Sequence, residues 1–130
     1  MVALFVHGDV KADLELLWGR EPQAAGRILA FLEQLEGDPD LLDRLAQHDY
    51  GAHRSADFHV SKWQAHWRKG RDLWRLKIWD LEDKGLRYRI VYAFEPRRQH
   101  YHVLAVAPRK FNYDASHPIN RCILRAYQAL

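Results

Sequence analysis

Apolar and polar positions alternate with a period of two in the second half of the chain. Trp74, Leu76 and Ile78 alternate with Arg75, Lys77 and Trp79, and Tyr88, Ile90, Tyr92 and Phe94 alternate with Arg87, Arg89, Val91 and Ala93. A period of two sends one face of a strand into a core and leaves the other face out. The turn LEDKG at 81–85 joins these two strands as an antiparallel hairpin, and EPRRQ at 95–99 leads into a third strand from His100 to Ala107.

The first half follows the helical period instead. Met1 to Val6 reads as an opening strand. Asp9 is placed to cap a helix running to Trp18, with Leu14, Leu17 and Trp18 inward. Pro22 starts a second helix, whose stripe is Ala25, Ile28, Leu29, Leu32 and Leu35 and whose end is Gly37. Asp38-Pro39 starts a third, short helix with Leu41, Leu42 and Leu45 inward. Residues 48–57 read as a loop. Phe58 to Trp67 fits either a strand or a helical turn. After Ser116 and Pro118 a last helix carries Ile119, Cys122, Ile123, Ala126, Tyr127 and Leu130 on one stripe, a face that docks on something apolar. The order predicts one α+β domain over 1–130: a mainly antiparallel twisted sheet, N-terminal helices packed on one face, and a C-terminal helix.

At 130 residues and 48% hydrophobic content, the chain is long enough for one core and too apolar for disorder. No apolar run has the length of a membrane span and no signal sequence is evident, so a cytoplasmic protein with no membrane partner is expected. The single cysteine, Cys122, excludes an internal disulfide and a cysteine zinc cage. The net charge of +3 conceals an asymmetry. Residues 1–53 carry four basic and ten acidic side chains, whereas residues 54–110 carry fourteen basic and six acidic ones. A basic block of this kind favours a polyanionic partner such as nucleic acid.

The strand pattern concentrates that charge. With the apolar sides of the hairpin against the helices, Arg75, Lys77, Arg87 and Arg89 share the opposite face, and side chains on paired strands sit about 5 Å apart. Four cations so close need a nearby acid or a bound anion. Asp72 and Asp80 stand only near the strand ends, with the wrong parity for pairing, so a groove for a phosphate backbone fits better than a merely solvated face. The third strand runs on into Arg109 and Lys110, with Tyr113 soon after. An aromatic near several arginines suits single-stranded RNA, whose bases stack while its phosphates meet guanidinium groups.

The run LWRLKI, then RYRIVYAF, then YHVLAVAPRKFNY, over about residues 72–115, resembles the RelE/ParE superfamily of bacterial toxins. The RelE-like members are ribosome-dependent mRNA endonucleases. They cut messenger RNA by attack of a 2′-hydroxyl on the neighbouring phosphate, use no metal or other cofactor, and are silenced by a cognate antitoxin in a toxin–antitoxin complex. The resemblance implies Lys77 as general base, Arg89 as the arginine that stabilises the charged transition state, Arg109 as general acid and Tyr113 as the ring that stacks on a base. It implies Arg75, Arg87 and Lys110 as further RNA contacts. A lysine acts as a base only if its pKa falls, and the cluster of Arg75, Arg87 and Arg89 is the expected source of that shift. Arg75 stands where many members have another lysine. The loop LEDKGL is longer than in compact members, and the segment HVSKWQAHWRKG reads more simply as a core strand and a basic turn than as added RNA surface. Two other readings stay open: a ParE-like member that binds DNA gyrase without cutting RNA, and an RNA-binding module without catalysis.

Eight histidines raise the question of a metal. His100 and His102 lie on one side of a strand, as two zinc ligands can, but the spacing shows no third, and no metal is expected. His59 and His66 are spaced poorly for metal or acid–base work.

Overall fold

The structure, a computed structural model, describes residues 3–109 and 118–130. Among these, five strands form one sheet in the order β1-β5-β4-β3-β2: β1 (Ala3–Val6), β2 (Phe58–Lys62), β3 (Leu73–Ile78), β4 (Tyr88–Glu95) and β5 (His100–Pro108). β1 runs parallel to β5 and every other pairing is antiparallel. The fold is α+β, as the pattern predicts. No helix among the described residues is long and apolar enough to cross a membrane.

Helices α1 (Gly8–Arg20), α2 (Pro22–Glu36) and α3 (Pro39–Asp43) cover one face of the sheet. Ile28, Phe31, Leu32 and Leu35 from α2 meet Trp74, Leu76, Ile90, Tyr92 and Val103 from the strands. Each fully buried aliphatic or aromatic side chain of this kind contributes about 1.5–3 kcal/mol. Tyr92 is deeply buried in this layer, and its hydroxyl donates to the Leu45 carbonyl at 2.7 Å. The cap of α1 is His7 and not Asp9: the His7 Nδ1 accepts from the Asp9 amide at 3.2 Å. Trp18 lies on the outer side of α1 and is exposed, and Val10 takes the inward place with Leu17.

Helix α6 (Pro118–Gln128) lies on the opposite face, where Ile123 and Ala126 close over Leu73, Val91, Ala93, Leu104, Ala105 and Ala107. A β-bulge makes this seat, because Val91 opposes Ala105 while Tyr92 opposes Val103, so that Leu104 is the extra residue. Tyr127 fastens the helix by accepting the Asp72 amide at 3.1 Å. Cys122 is exposed and does not belong to the buried stripe, where Asn120 sits instead.

The segment from Phe58 to Trp67 is both of the elements its pattern allowed. β2 ends at Lys62, Trp63 is buried, and a single turn α4 (Gln64–Trp67) follows. The connection after β3 is also a helical turn, α5 (Trp79–Asp83), rather than a plain hairpin loop. In α4 the Nδ1 of His66 lies 3.2 Å from Arg71, which can only donate, so the imidazole must present a lone pair there. Burial first, then Arg71, Lys69 and Arg75, push the His66 pKa down to about 4. A histidine depressed in the folded state contributes stability above its unfolded pKa, and loses it as pH falls through the folded value. Stability is therefore expected to decline between about pH 6.5 and 4, and urea unfolding of His66→Gln should show a shallower decline across that window than the parent.

Candidate active site

Strand parity and register bring four of the predicted residues to one cavity of about 180 Å³, lined by His59, Arg75, Lys77, Arg89 and Arg109 among others. Arg75 and Lys77 point to this side of β3, Arg89 comes from the first turn of pleat in β4, and Arg109 stands just past β5. The Arg109 amide donates to the Arg87 carbonyl at 3.0 Å, which prolongs the β4–β5 ladder and fixes where the Arg109 side chain begins. Trp63 forms a neighbouring wall, with the Arg75 guanidinium 5.5 Å from its ring centre.

The cations are not an open set of four. Arg89 is buried and donates to Glu82 of α5 at 2.5 Å, with 10% and 13% of the two side chains exposed. The compensating acid comes from the connection between β3 and β4, which the strand pattern alone did not point to. Arg87 precedes the first residue of β4, is exposed, and lines an adjoining hollow with Glu21, Tyr88 and Arg109 rather than the cavity itself. Tyr113 and Lys110 lie outside the described residues.

Lys77 sits over the ring of Trp79, with its Nζ 4.6 Å from the ring centre. It forms no ion pair among the described residues. Its ammonium is pushed below the ordinary lysine range by burial first, then by Arg89, Arg109 and Arg54, while Glu82 opposes the shift. Of the arginines expected to lower this pKa, only Arg89 acts; Arg109 and Arg54 take the places of Arg75 and Arg87.

One residue was missed. His59 faces Lys77 across the β2–β3 register and lines the same cavity. Its Nε2 is 3.2 Å from the Asp49 carboxylate, and its ring stacks on Trp79 at 5.8 Å with the planes 4° apart. A carboxylate only accepts, so Nε2 carries the proton and Nδ1 is left as the second working atom of the ring. The signal in the sequence was its place in a strand paired to Lys77, which becomes visible only once β2 is placed beside β3.

The wall behind His59 depends on Gly51. Its φ of +80° is left-handed, and a Cβ there would fall 1.6 Å from the Phe58 carbonyl oxygen. The Gly51 carbonyl accepts the Trp79 indole N–H at 2.9 Å, which holds the ring shared by His59 and Lys77. Arg54 also lies over that ring, 4.6 Å from its centre, and pairs with Asp83 of α5.

No protein-family profile, curated protein or solved structure matches this chain. The chemistry of the cavity is a base of lowered affinity for its proton, a histidine oriented by a carboxylate, and fixed guanidinium groups on a half-enclosed polar surface. Fixed cations of this sort stabilise developing negative charge more than they stabilise a ground state that carries less of it.

Proposed function

We propose that this chain is a RelE-like toxin that cleaves messenger RNA on the translating ribosome. The observation that carries the reading is the convergence of Lys77, Arg89, Arg109 and His59 on one cavity at the open end of a sheet face. Lys77 takes the proton from a ribose 2′-hydroxyl. The oxygen attacks the adjacent phosphorus, and Arg89 and Arg109 stabilise the charge that builds on the phosphorane. The bond to the 5′-oxygen breaks, and that oxygen leaves with a proton. His59 and Arg109 line the same cavity as candidate donors; an arginine gives up its proton very reluctantly, which favours His59, held in place by Asp49. The products are a 2′,3′-cyclic phosphate and a 5′-hydroxyl. Its partners on this reading are the ribosome with its message and a cognate antitoxin that silences the basic face, and its place of work is the cytoplasm.

The test is a cell-free translation reaction. Message is expected to be cut only while ribosomes translate, to yield fragments ending in cyclic phosphate, and to be spared where the cut nucleotide carries a 2′-deoxyribose. His59→Ala should slow the cut by about 10²-fold or more, the usual contribution of a positioned acid or base. Message that stays intact under active translation sinks the nuclease reading; a chain that instead inhibits DNA gyrase in the same extract belongs with the ParE-like toxins.

A further inference from the structure

The face that holds the cavity carries a second constellation at its other end. Along β4, Arg89 and Glu95 lie on the same side six residues apart, which puts about 20 Å between them. Glu95 is the last residue of β4 and is paired with His100, the first of β5. His102, two residues on, shares that side. The four residues Pro96 to Gln99 close this hairpin, and Gln99 takes a positive φ of 56° to do so. The carboxylate is thus brought beside both imidazoles by the ladder register, a third ligand that spacing along the chain did not reveal.

The ligand atoms of Glu95, His100 and His102 all lie within 4.8 Å of one another. The Nε2 of His102 is buried without a hydrogen bond. It faces Oε2 of Glu95 at 3.8 Å, too long for a hydrogen bond, while Oε1 of the same carboxylate lies 3.6 Å from exposed Arg98. Ligand atoms at about 2.0–2.1 Å from a tetrahedral zinc stand roughly 3.4 Å apart, so a set within 4.8 Å needs to contract by at most about 1.4 Å to hold one. Phe5 of the neighbouring strand β1 walls the site: its ring stacks on His102 at 5.3 Å and meets His100 edge-on at 4.9 Å.

We propose that Glu95, His100 and His102 bind a zinc-like divalent transition-metal ion. Two imidazole nitrogens and one carboxylate suit zinc, cobalt or nickel, whereas magnesium and calcium require oxygen donors. Three protein ligands leave one position for water or an incoming group. The ion would clip the β4–β5 hairpin at the end remote from the RNA cavity, and binding does not depend on how that cavity works.

The test uses the full chain without RNA. After treatment with a chelator, zinc is added and followed by calorimetry, and cobalt is added and followed by its visible absorption. One ion per chain, a tetrahedral cobalt spectrum and a higher thermal midpoint that a chelator reverses are expected. His102→Ala and Glu95→Gln should each weaken zinc binding by about 100-fold, at the top of the range for loss of a mere supporting contact. His53→Ala, far from the hairpin, should bind as the parent does, and circular dichroism checks that every variant folds. The proposal is overturned if the parent takes up no zinc, or if folded His102→Ala and Glu95→Gln bind it as tightly as the parent. Neither result touches the RNA-cleavage reading, since no message is present.

Discussion

Arg89→Ala is expected to cost about 3–5 kcal/mol of folding stability, measured by urea unfolding. The guanidinium is nearly enclosed and holds Glu82, which is just as enclosed. Removing the cation strands a carboxylate in a poorly hydrated place, and that desolvation is the larger part of the loss. Glu82→Ala should be costly for the mirror reason. Replacing both by apolar residues of similar volume, as in Glu82→Leu with Arg89→Met, should lose far less than the two single losses added together. Additive losses would mean that the charges do not depend on each other, and that Arg89 reaches the cavity without help from α5. The pair also has a functional meaning. On the proposed RNA-cleavage reading, it fixes the guanidinium in one direction before any phosphate arrives, which is how a cation stabilises a transition state without reorganising. If the chain is the nuclease proposed above, loss of activity in Arg89→Ala mixes failed folding with failed chemistry.

Lys77→Ala is the cleaner probe and is expected to show the largest effect on activity, a fall of about 10²–10⁴-fold in the cleavage rate. Its main contact is the face of Trp79, a cation–π interaction of about 0.5–1 kcal/mol at a partly exposed site, so the fold should survive. The pH dependence separates two roles. As a base, Lys77 works only when neutral, so the ratio of the parent rate to that of Lys77→Arg, which divides out the protonation of His59, should climb as pH rises through the lowered pKa. Lys77→Arg keeps the charge but cannot release a proton, and should be nearly as slow as Lys77→Ala without the climbing limb. A Lys77→Arg variant close to the parent in rate would assign Lys77 to charge stabilisation and hand the base to His59.

The two ends of the sheet face differ because α6 divides it. Leu73, Val91 and Ala93 have the same parity as Arg75, Arg89 and Glu95, and α6 buries the apolar ones. The cations remain beyond one end of the helix seat and the two histidines with Glu95 beyond the other. Period two put Arg75, Lys77, Arg89, Val91 and Ala93 on one face, but left Leu73 unassigned and Glu95 in the turn, and it carries no information on which stretch of that face another element covers.

By itself, the sequence determined the local rules. Period two placed β3 and β4 and their cation side, helical periodicity and Pro22 placed α2, and the charge asymmetry located the basic block. These are legible because each depends on neighbours within a few residues, through backbone geometry and the exclusion of apolar surface from water. Tertiary structure alone decided the rest: that Glu82 neutralises Arg89, that His59 faces Lys77, that Arg87 lines the adjoining hollow and not the cavity, that Cys122 is exposed, and that Glu95 joins His100 and His102. Each of those depends on strand register or on which element closes over which, set by packing between segments distant along the chain. Coulomb forces and burial act over distances in space, and the spacing of letters in a sequence does not record them.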